Sequence, residues 1–299
     1  MGMKVLIAGG SGFLGKALAD HLRSAGHLVW ILTRRVSLIE QQIHWDGVTV
    51  AGWADRIGEF DAVVNMTGFG LEHWPWTKSQ KQRFQDSRIL PGRALVAAIE
   101  RSSHRPGVFV QISGINYYGL TGDTIADEWT PPGNDYLAQL AVQWEAATRI
   151  VENSGVRYAA ARTSVVLDAK NGQFPLMVLP VRLFFGGRLG DGHQAVTWIH
   201  LADQIGAIRY ILENYKASGA INLISPTPTS NEEFMRAIAK CLHRPYWFPT
   251  PAFALRAVLG EMSTLVISGR YCMPKRLLEF GYNFRYPTIE SALNDLFSV

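Results

Sequence analysis

The run Gly9-Gly10-Ser11-Gly12-Phe13-Leu14-Gly15, directly after the apolar stretch Val5-Leu6-Ile7-Ala8, limits what this chain can fold into more than any other feature. A short apolar run, a glycine turn, and then Leu14, Leu18 and Leu22 at helical spacing read as strand, turn and helix. The glycines at 9, 12 and 15 have separable duties. Gly9 permits the tight turn, Gly12 lets the backbone approach a pyrophosphate, and Gly15 lets the helix pack close on the sheet. The opening helix turns unpaired N–H groups and the positive end of its dipole toward that phosphate. Gly9, Ser11, Gly12, Phe13, Leu14 and Gly15 are therefore the expected core of a dinucleotide site. Gly26 is placed to cap the C-terminal end of the helix.

Beyond Gly26 the chain keeps the same rhythm. Apolar runs at 28–32, 61–66, 108–112 and 157–167 read as strands. Helical patterns lie between them at 88–101 and 136–153, the latter stopped by Gly155. Such alternation predicts an α/β fold, a doubly wound parallel Rossmann-type sheet with helices on both faces. Residues 1–167 form the expected nucleotide domain, and 195–215 is expected to return to it. Most of 168–299 reads as a smaller C-terminal α/β substrate lobe. There, 231–242 is a helix capped by Ser230 or Asn231, with Glu232 and Glu233 favouring the helix dipole. The stretch 253–267 is interrupted by Arg256 and Glu261 and reads as a buried or amphipathic helix.

Composition removes other classes. With 47% hydrophobic and 18% charged residues among 299, the chain has material for a large core and is not disordered. Cys241 and Cys272 form no CxxC pair, no secretory leader is read at the N-terminus, and the expected location is the reducing cytoplasm. A net charge of +4 is scattered without a basic–aromatic stripe, so no nucleic-acid partner is expected, and no membrane partner either. The eight histidines show no HExxH or His/Cys spacing, so no metal site is expected. Neither a GxSxG elbow nor a P-loop is present.

The choice of dinucleotide falls at the end of the second strand. An NAD site usually places an acid there for the ribose 2′-hydroxyl. This chain instead has Thr33-Arg34-Arg35, whose guanidinium groups suit a 2′-phosphate, so NADP(H) is expected over NAD(H). Asn65, Thr67 and Gly68, at the end of the third strand, are candidates to line the path of the ribose and nicotinamide. His44-Trp45-Asp46 either walls the adenine pocket or holds a buried tryptophan with no ligand role.

The chain resembles the extended short-chain dehydrogenase/reductase superfamily in its NAD(P)-dependent epimerase/dehydratase branch. GGSGFLG at 9–15, VVNMTG at 63–68, QISGINYYG at 111–119, RTSVVL at 162–167, GDGHQAVTWIHLAD at 190–203 and NLISPTPTSNEEF at 222–234 carry the resemblance. WTKSQKQRFQDSRI at 76–89, WEAAT at 144–148 and RPYWFPTPAFALRAVLGEM at 244–262 narrow it to the atypical "epimerase family protein" subgroup.

The superfamily implies a Ser/Thr–Tyr–xxx–Lys set, in which lysine stabilises the phenolate of a general acid/base tyrosine. By position the tyrosine is Tyr136, but Leu140 stands where the lysine belongs. Gly114 occupies the usual hydroxyl position, with Ser113 one residue early. Tyr117 or Tyr118 is an alternative acid. Arg88, Arg162 and His200 are either anion contacts or structural hydrogen-bonding residues. Two functions stay open: an NADP(H)-dependent oxidoreductase or epimerase-like enzyme for an unidentified small molecule, and a non-catalytic NADP(H)-binding sensor. The resemblance also implies a homodimer through the helices at 88–101 and 136–153.

Overall fold

A computed structural model of the chain describes residues 2–35, 39–120 and 124–297. The strands are β1 (Lys4–Ala8), β2 (Leu28–Thr33), β3 (Gln42–His44), β4 (Ala62–Asn65), β5 (Val108–Gly114), β6 (Arg157–Thr163), β7 (Val165–Leu167), β8 (Trp198–His200) and β9 (Gly219–Leu223). Their centres are continuous apolar runs, the pattern of strands covered on both faces. Seven of them form one parallel sheet in the order β3-β2-β1-β4-β5-β6-β9. The strand order reverses beside β1, between β1 and β4, and in open parallel sheets that switch point is where ligands bind, at the carboxyl ends of the strands.

Side chains alternate between two cores. Val5, Ile7, Val64 and Val110 face α1 (Phe13–Ser24) and meet Leu18 and Leu22. Leu6, Val63 and Phe109 face α2 (Lys78–Arg101) and meet Leu95 and Ile99. α3 (Tyr136–Arg149) packs beside α2. α2 begins well before the expected residue 88, because Thr77 Oγ1 accepts the Gln80 N–H at 3.2 Å and starts a polar first half that carries no apolar stripe. α3 ends earlier than expected, passing through a 3-10 turn, Ile150–Ser154, into Gly155 at φ 77°.

The expected strand 157–167 is two strands. Ser164 Oγ donates to Leu223 O at 3.1 Å at the break, and β7 leaves to pair with β8 in a separate two-stranded sheet. Within the stretch expected to return, 195–215, β8 pairs with β7 in that separate sheet, while Ile208 and Ile211 pack in the main-sheet core; the strand that joins the main sheet is β9, which pairs with β6 through Leu223. Before β9, α4 (Phe174–Arg182) packs on β7, and α5 (Leu201–Glu213) packs against α1.

α6 (Asn231–Cys241) shares a third core with α4 through Phe174, Val178, Phe234 and Ile238. Its cap is Ser230, in a capping box with Glu233. Ser230→Ala should cost about 1 kcal/mol in urea unfolding, and an unchanged midpoint would show that the box contributes nothing. The stretch 253–267 is not one buried helix. α7 (Ala252–Leu259) has no buried residue and exposes Phe253 and Val258. Among the described residues no helix is long and apolar enough to cross a membrane.

Candidate functional site

The glycine turn sits at the switch point, and each glycine meets a different constraint. Gly9 has φ 81°, and a Cβ on it would lie 2.8 Å from Met66 O. A Cβ on Gly15 would come within 2.5 Å of both Gly10 Cα and Gly9 O. Gly12 is different, for its Cβ would meet only Gly9 O, at 3.4 Å, so its outer side is open to a ligand. Gly12 is also the N-cap of α1 without a side-chain cap, and no acid stands in the first turn. Among the described residues no side chain serves the N–H groups of the opening helix at Phe13, Leu14 and Gly15. A diphosphate fits this cradle.

At the end of β2, Thr33 is buried and its Oγ1 accepts the Arg35 N–H at 3.1 Å. Arg34 and Arg35 are exposed and form no ion pair among the described residues. The nearby acid Asp46 is occupied: Thr49 Oγ1 at 2.6 Å and the N–H groups of Val48 and Thr49 hold its carboxyl down at about 2. Trp45 is buried edge-on to Trp53, which favours its core reading over an adenine wall. A surface cavity of about 460 Å³ runs beside this end, lined by Ser11, Lys16, Asp20, Arg23 and Gln42. It contains none of the candidate tyrosines.

Asn65 is not free to contact a ligand as expected. It is fully buried, donates to Gln111 Oε1 at 2.8 Å, and accepts from the N–H and hydroxyl of Thr67. Its work is to fix Thr67 at the carboxyl end of β4. Gly68 comes next, and Arg88 lies against it: a Cβ on Gly68 would be 3.6 Å from the guanidinium carbon.

The candidate acids separate. Tyr118 is a correction, because it is fully buried, donates to Asn222 Oδ1 at 2.7 Å and accepts from Arg162 Nη1 at 2.8 Å. Burial drives its phenol far above the ordinary value, against the pull of Arg162, and leaves it no exposed surface at which to meet a substrate. Tyr117 lays its ring on the Arg162 guanidinium, 3.4 Å from ring centre to Cζ, and its hydroxyl bonds to no described residue. Ser113 Oγ is buried and unpartnered. A Cβ on Gly114 would make only ordinary contacts, with Asn116 N at 3.9 Å and Thr163 O at 4.0 Å, so a side chain there would fit without strain.

Tyr136 starts α3 beside the 69–76 loop, its ring 6.1 Å from Trp76 and its hydroxyl 3.4 Å from Lys81 O. Lys81 Nζ lies 4.6 Å from the Tyr136 ring centre and is paired with Glu261 at 2.7 Å. Burial raises the Tyr136 phenol, Arg88 lowers it, and Glu261 raises it again. Leu140 is buried, as its apolar side chain requires.

Of the three positions open to an anion, two are occupied by the protein. Arg162 forms a buried two-pronged pair with Glu145, both contacts 2.8 Å. Burial disfavours its charge, but Glu145 more than restores it. His200 caps α5, accepting the Ala202 N–H at Nδ1, while Nε2 lies 3.3 Å from Asp295. Of the three, Arg88 alone is buried without an acid among the described residues. Glu145 escaped the sequence reading, although its signal was present: one acid on the apolar face of a helix and one arginine inside an apolar strand.

A family model described as the NAD dependent epimerase/dehydratase family matches residues 5–223. This chain belongs to that family. Within it the chain is an atypical extended short-chain dehydrogenase/reductase. A second model, a domain of unknown function (DUF1731), matches residues 250–296. The epimerase family protein ML0860 of Mycobacterium leprae is 36% identical over 97% of this chain and 94% of its own. The epimerase family protein YfhF of Bacillus subtilis is 34% identical over 98% of each. The crystal structure of human epimerase family protein SDR39U1 with NADPH superposes with a TM-score of 0.91, at 30% identity and 99% coverage of both chains. Epimerase-family membership thus accounts for the glycine cradle.

Proposed function

We propose that this protein is an NADP(H)-dependent oxidoreductase or epimerase-like enzyme acting on a small molecule, in the reducing cytoplasm. The single observation that carries the reading is the open cradle at Gly12, flanked by two exposed arginines with no acid partner among the described residues. The NADPH held by the human relative supports the same assignment. Ser11, Phe13 and Leu14 bind the diphosphate with the glycines, and Thr33 presents Arg34 and Arg35 to the 2′-phosphate. Residues 1–167, with the stretch returning through β9, form the nucleotide half. The rest of 168–299 closes over the nicotinamide end.

When bound, the dinucleotide supplies hydride acceptance or donation. The chain's own part is to place a substrate hydroxyl or carbonyl and to move one proton. Tyr136 is the donor this reading favours, with Tyr117, three residues after Gly114, as the alternative. Ser113 carries a buried hydroxyl without a protein partner one residue before Gly114 on β5, and in this reading it stays beneath the site. Thr67 and Gly68 line the path from β4.

Calorimetry with NADPH and NADH tests the cofactor half of the reading. Each charge-assisted contact to a 2′-phosphate contributes about 1.5–3 kcal/mol. Arg34→Ala/Arg35→Ala should therefore weaken NADPH by roughly 100-fold and leave NADH nearly unchanged. Equal affinity of the unaltered protein for both nucleotides would overturn the assignment.

A further inference from the structure

Among the described residues a broad apolar face is left without a cover. At α4, Leu176, Leu179 and Leu183 follow the i, i+3, i+7 spacing and form one exposed stripe. The stripe runs directly into Phe184 and Phe185, and the segment 245–250 lies alongside. The Phe185 and Phe248 rings are 5.6 Å apart, and the Trp247 indole donates to Phe184 O at 2.9 Å. Every one of these side chains is exposed, from 49% at Leu179 to 71% at Trp247. Phe184 also stands at φ 67°, in the left-handed region that favours glycine. A phenylalanine is strained there, and a ring left 53% exposed recovers little by burial within its own chain.

Area and composition say what covers the face. Aromatic side chains carry about 150–250 Å² each and leucines less, so this face, about half exposed or more at every member, presents roughly 700 Å² of apolar surface. The largest apolar patch of a typical monomer is about 300–600 Å², and each side of a standard protein–protein interface is about 800 Å². The only charged residues within 174–188 and 244–250 are Arg182, Arg188 and Arg244, and the Arg244 guanidinium carbon lies 4.6 Å from the Phe184 ring centre. Aromatic residues with arginine, and without lysine, aspartate or glutamate, are the composition of a protein interface. The helices at 88–101 and 136–153 offer a poorer face for self-association. Their exposed side chains include Arg93, Glu100, Gln139 and Gln143, and Ile150 is the single large apolar one.

We propose that the protein forms a two-fold homodimer through this face, the α4 stripe and the segments 183–188 and 245–250 of each copy covering those of the other. A two-fold contact uses the same patch twice, so a face that already has nearly the area of one side is complete when it meets its copy. The homodimer implied by the family resemblance is kept, and its interface moves from α2 and α3 to α4.

Sedimentation equilibrium of the full chain tests the proposal, and the unaltered protein should be dimeric at about 10 μM. Leu179→Glu/Phe185→Glu should raise the dimer dissociation constant about 100-fold or more, with an unchanged circular dichroism spectrum. Ala146→Arg, on the exposed side of α3, should leave the dimer intact. Hydrogen exchange of the unaltered protein needs no substitution: amide protection at 176–188 and 245–250 should rise with protein concentration. A chain still monomeric at about 100 μM overturns the proposal, and if that monomer bound vesicles of anionic phospholipid the face would belong to a membrane surface. A dimer that survives Leu179→Glu/Phe185→Glu, or that dissociates with Ala146→Arg, overturns it as well.

Discussion

Glu145→Ala should destabilise the folded chain by about 3–5 kcal/mol, the usual loss when one partner of a buried ion pair is removed. Arg162 is 4% exposed and Glu145 9%, and both carboxylate oxygens accept from the guanidinium. Without Glu145 the guanidinium keeps only the Tyr118 hydroxyl and the faces of Tyr117 and Tyr118. None of these carries negative charge, because burial holds the Tyr118 phenol protonated. Arg162 remains charged at every ordinary pH, so the penalty does not titrate away. Glu145→Gln should fall between the two, since it keeps hydrogen-bond acceptors but not the charge.

Replacing both partners by apolar side chains, Glu145→Leu with Arg162→Met, should recover most of the loss, because neither charge is then left buried alone. Urea unfolding followed by circular dichroism measures all three. A single variant within about 1 kcal/mol of the unaltered protein would mean that water reaches the pair and replaces its partner. The pair also ties α3 to β6, and the Tyr118–Asn222 hydrogen bond extends the link to β9. Loosening it should let α3 move, and Tyr136 with it.

The parts that could be read from the sequence were those set by local pattern. A glycine turn between a strand and a helix leaves few alternatives, and continuous apolar runs announce a covered parallel sheet. What escaped depends on partners distant in the chain. Nothing near Ser164 says that the strand breaks there, because its hydroxyl bonds to Leu223 fifty-nine residues away. The early start of α2 lay hidden in a polar stretch whose helix is fixed by the Thr77 cap and by packing on α3. Asn65 looked like a ligand contact because it is polar at a strand end, yet Gln111 on the adjacent strand engages it. Tyr118 looked like a spare acid because sequence does not show burial. The absence of lysine at 140 was plain, whereas an arginine from another helix lying over Trp144 could be seen only in three dimensions.

Gly12→Ala and Gly15→Ala should fail in different ways, and the contrast isolates the nucleotide site from the fold. Gly12 has φ −77° and ψ 177°, a conformation open to any residue, and its Cβ would meet only Gly9 O. Alanine there should cost about 1 kcal/mol or less, mainly as a poorer N-cap than glycine. The added methyl would occupy the space through which the backbone approaches the diphosphate, so NADPH affinity should fall by roughly 100-fold or more. Gly15 is the reverse case. Its Cβ would lie 2.5 Å from two backbone atoms that no rotamer change can move, so the turn itself must shift. That overpacking should cost about 1–3 kcal/mol before any ligand is added.

Thermal melting with and without NADPH separates the two effects. A ligand at 100 times its dissociation constant stabilises the folded state by about 2.7 kcal/mol. The unaltered protein should gain that increment, and Gly12→Ala should melt normally but lose nearly all of it. Gly15→Ala should melt early even without nucleotide. If Gly12→Ala kept the full NADPH increment, the phosphates would have to rest somewhere other than the opening of α1. The arginines at 34 and 35, placed by the same strand ends, would then lose their reason to be unpaired.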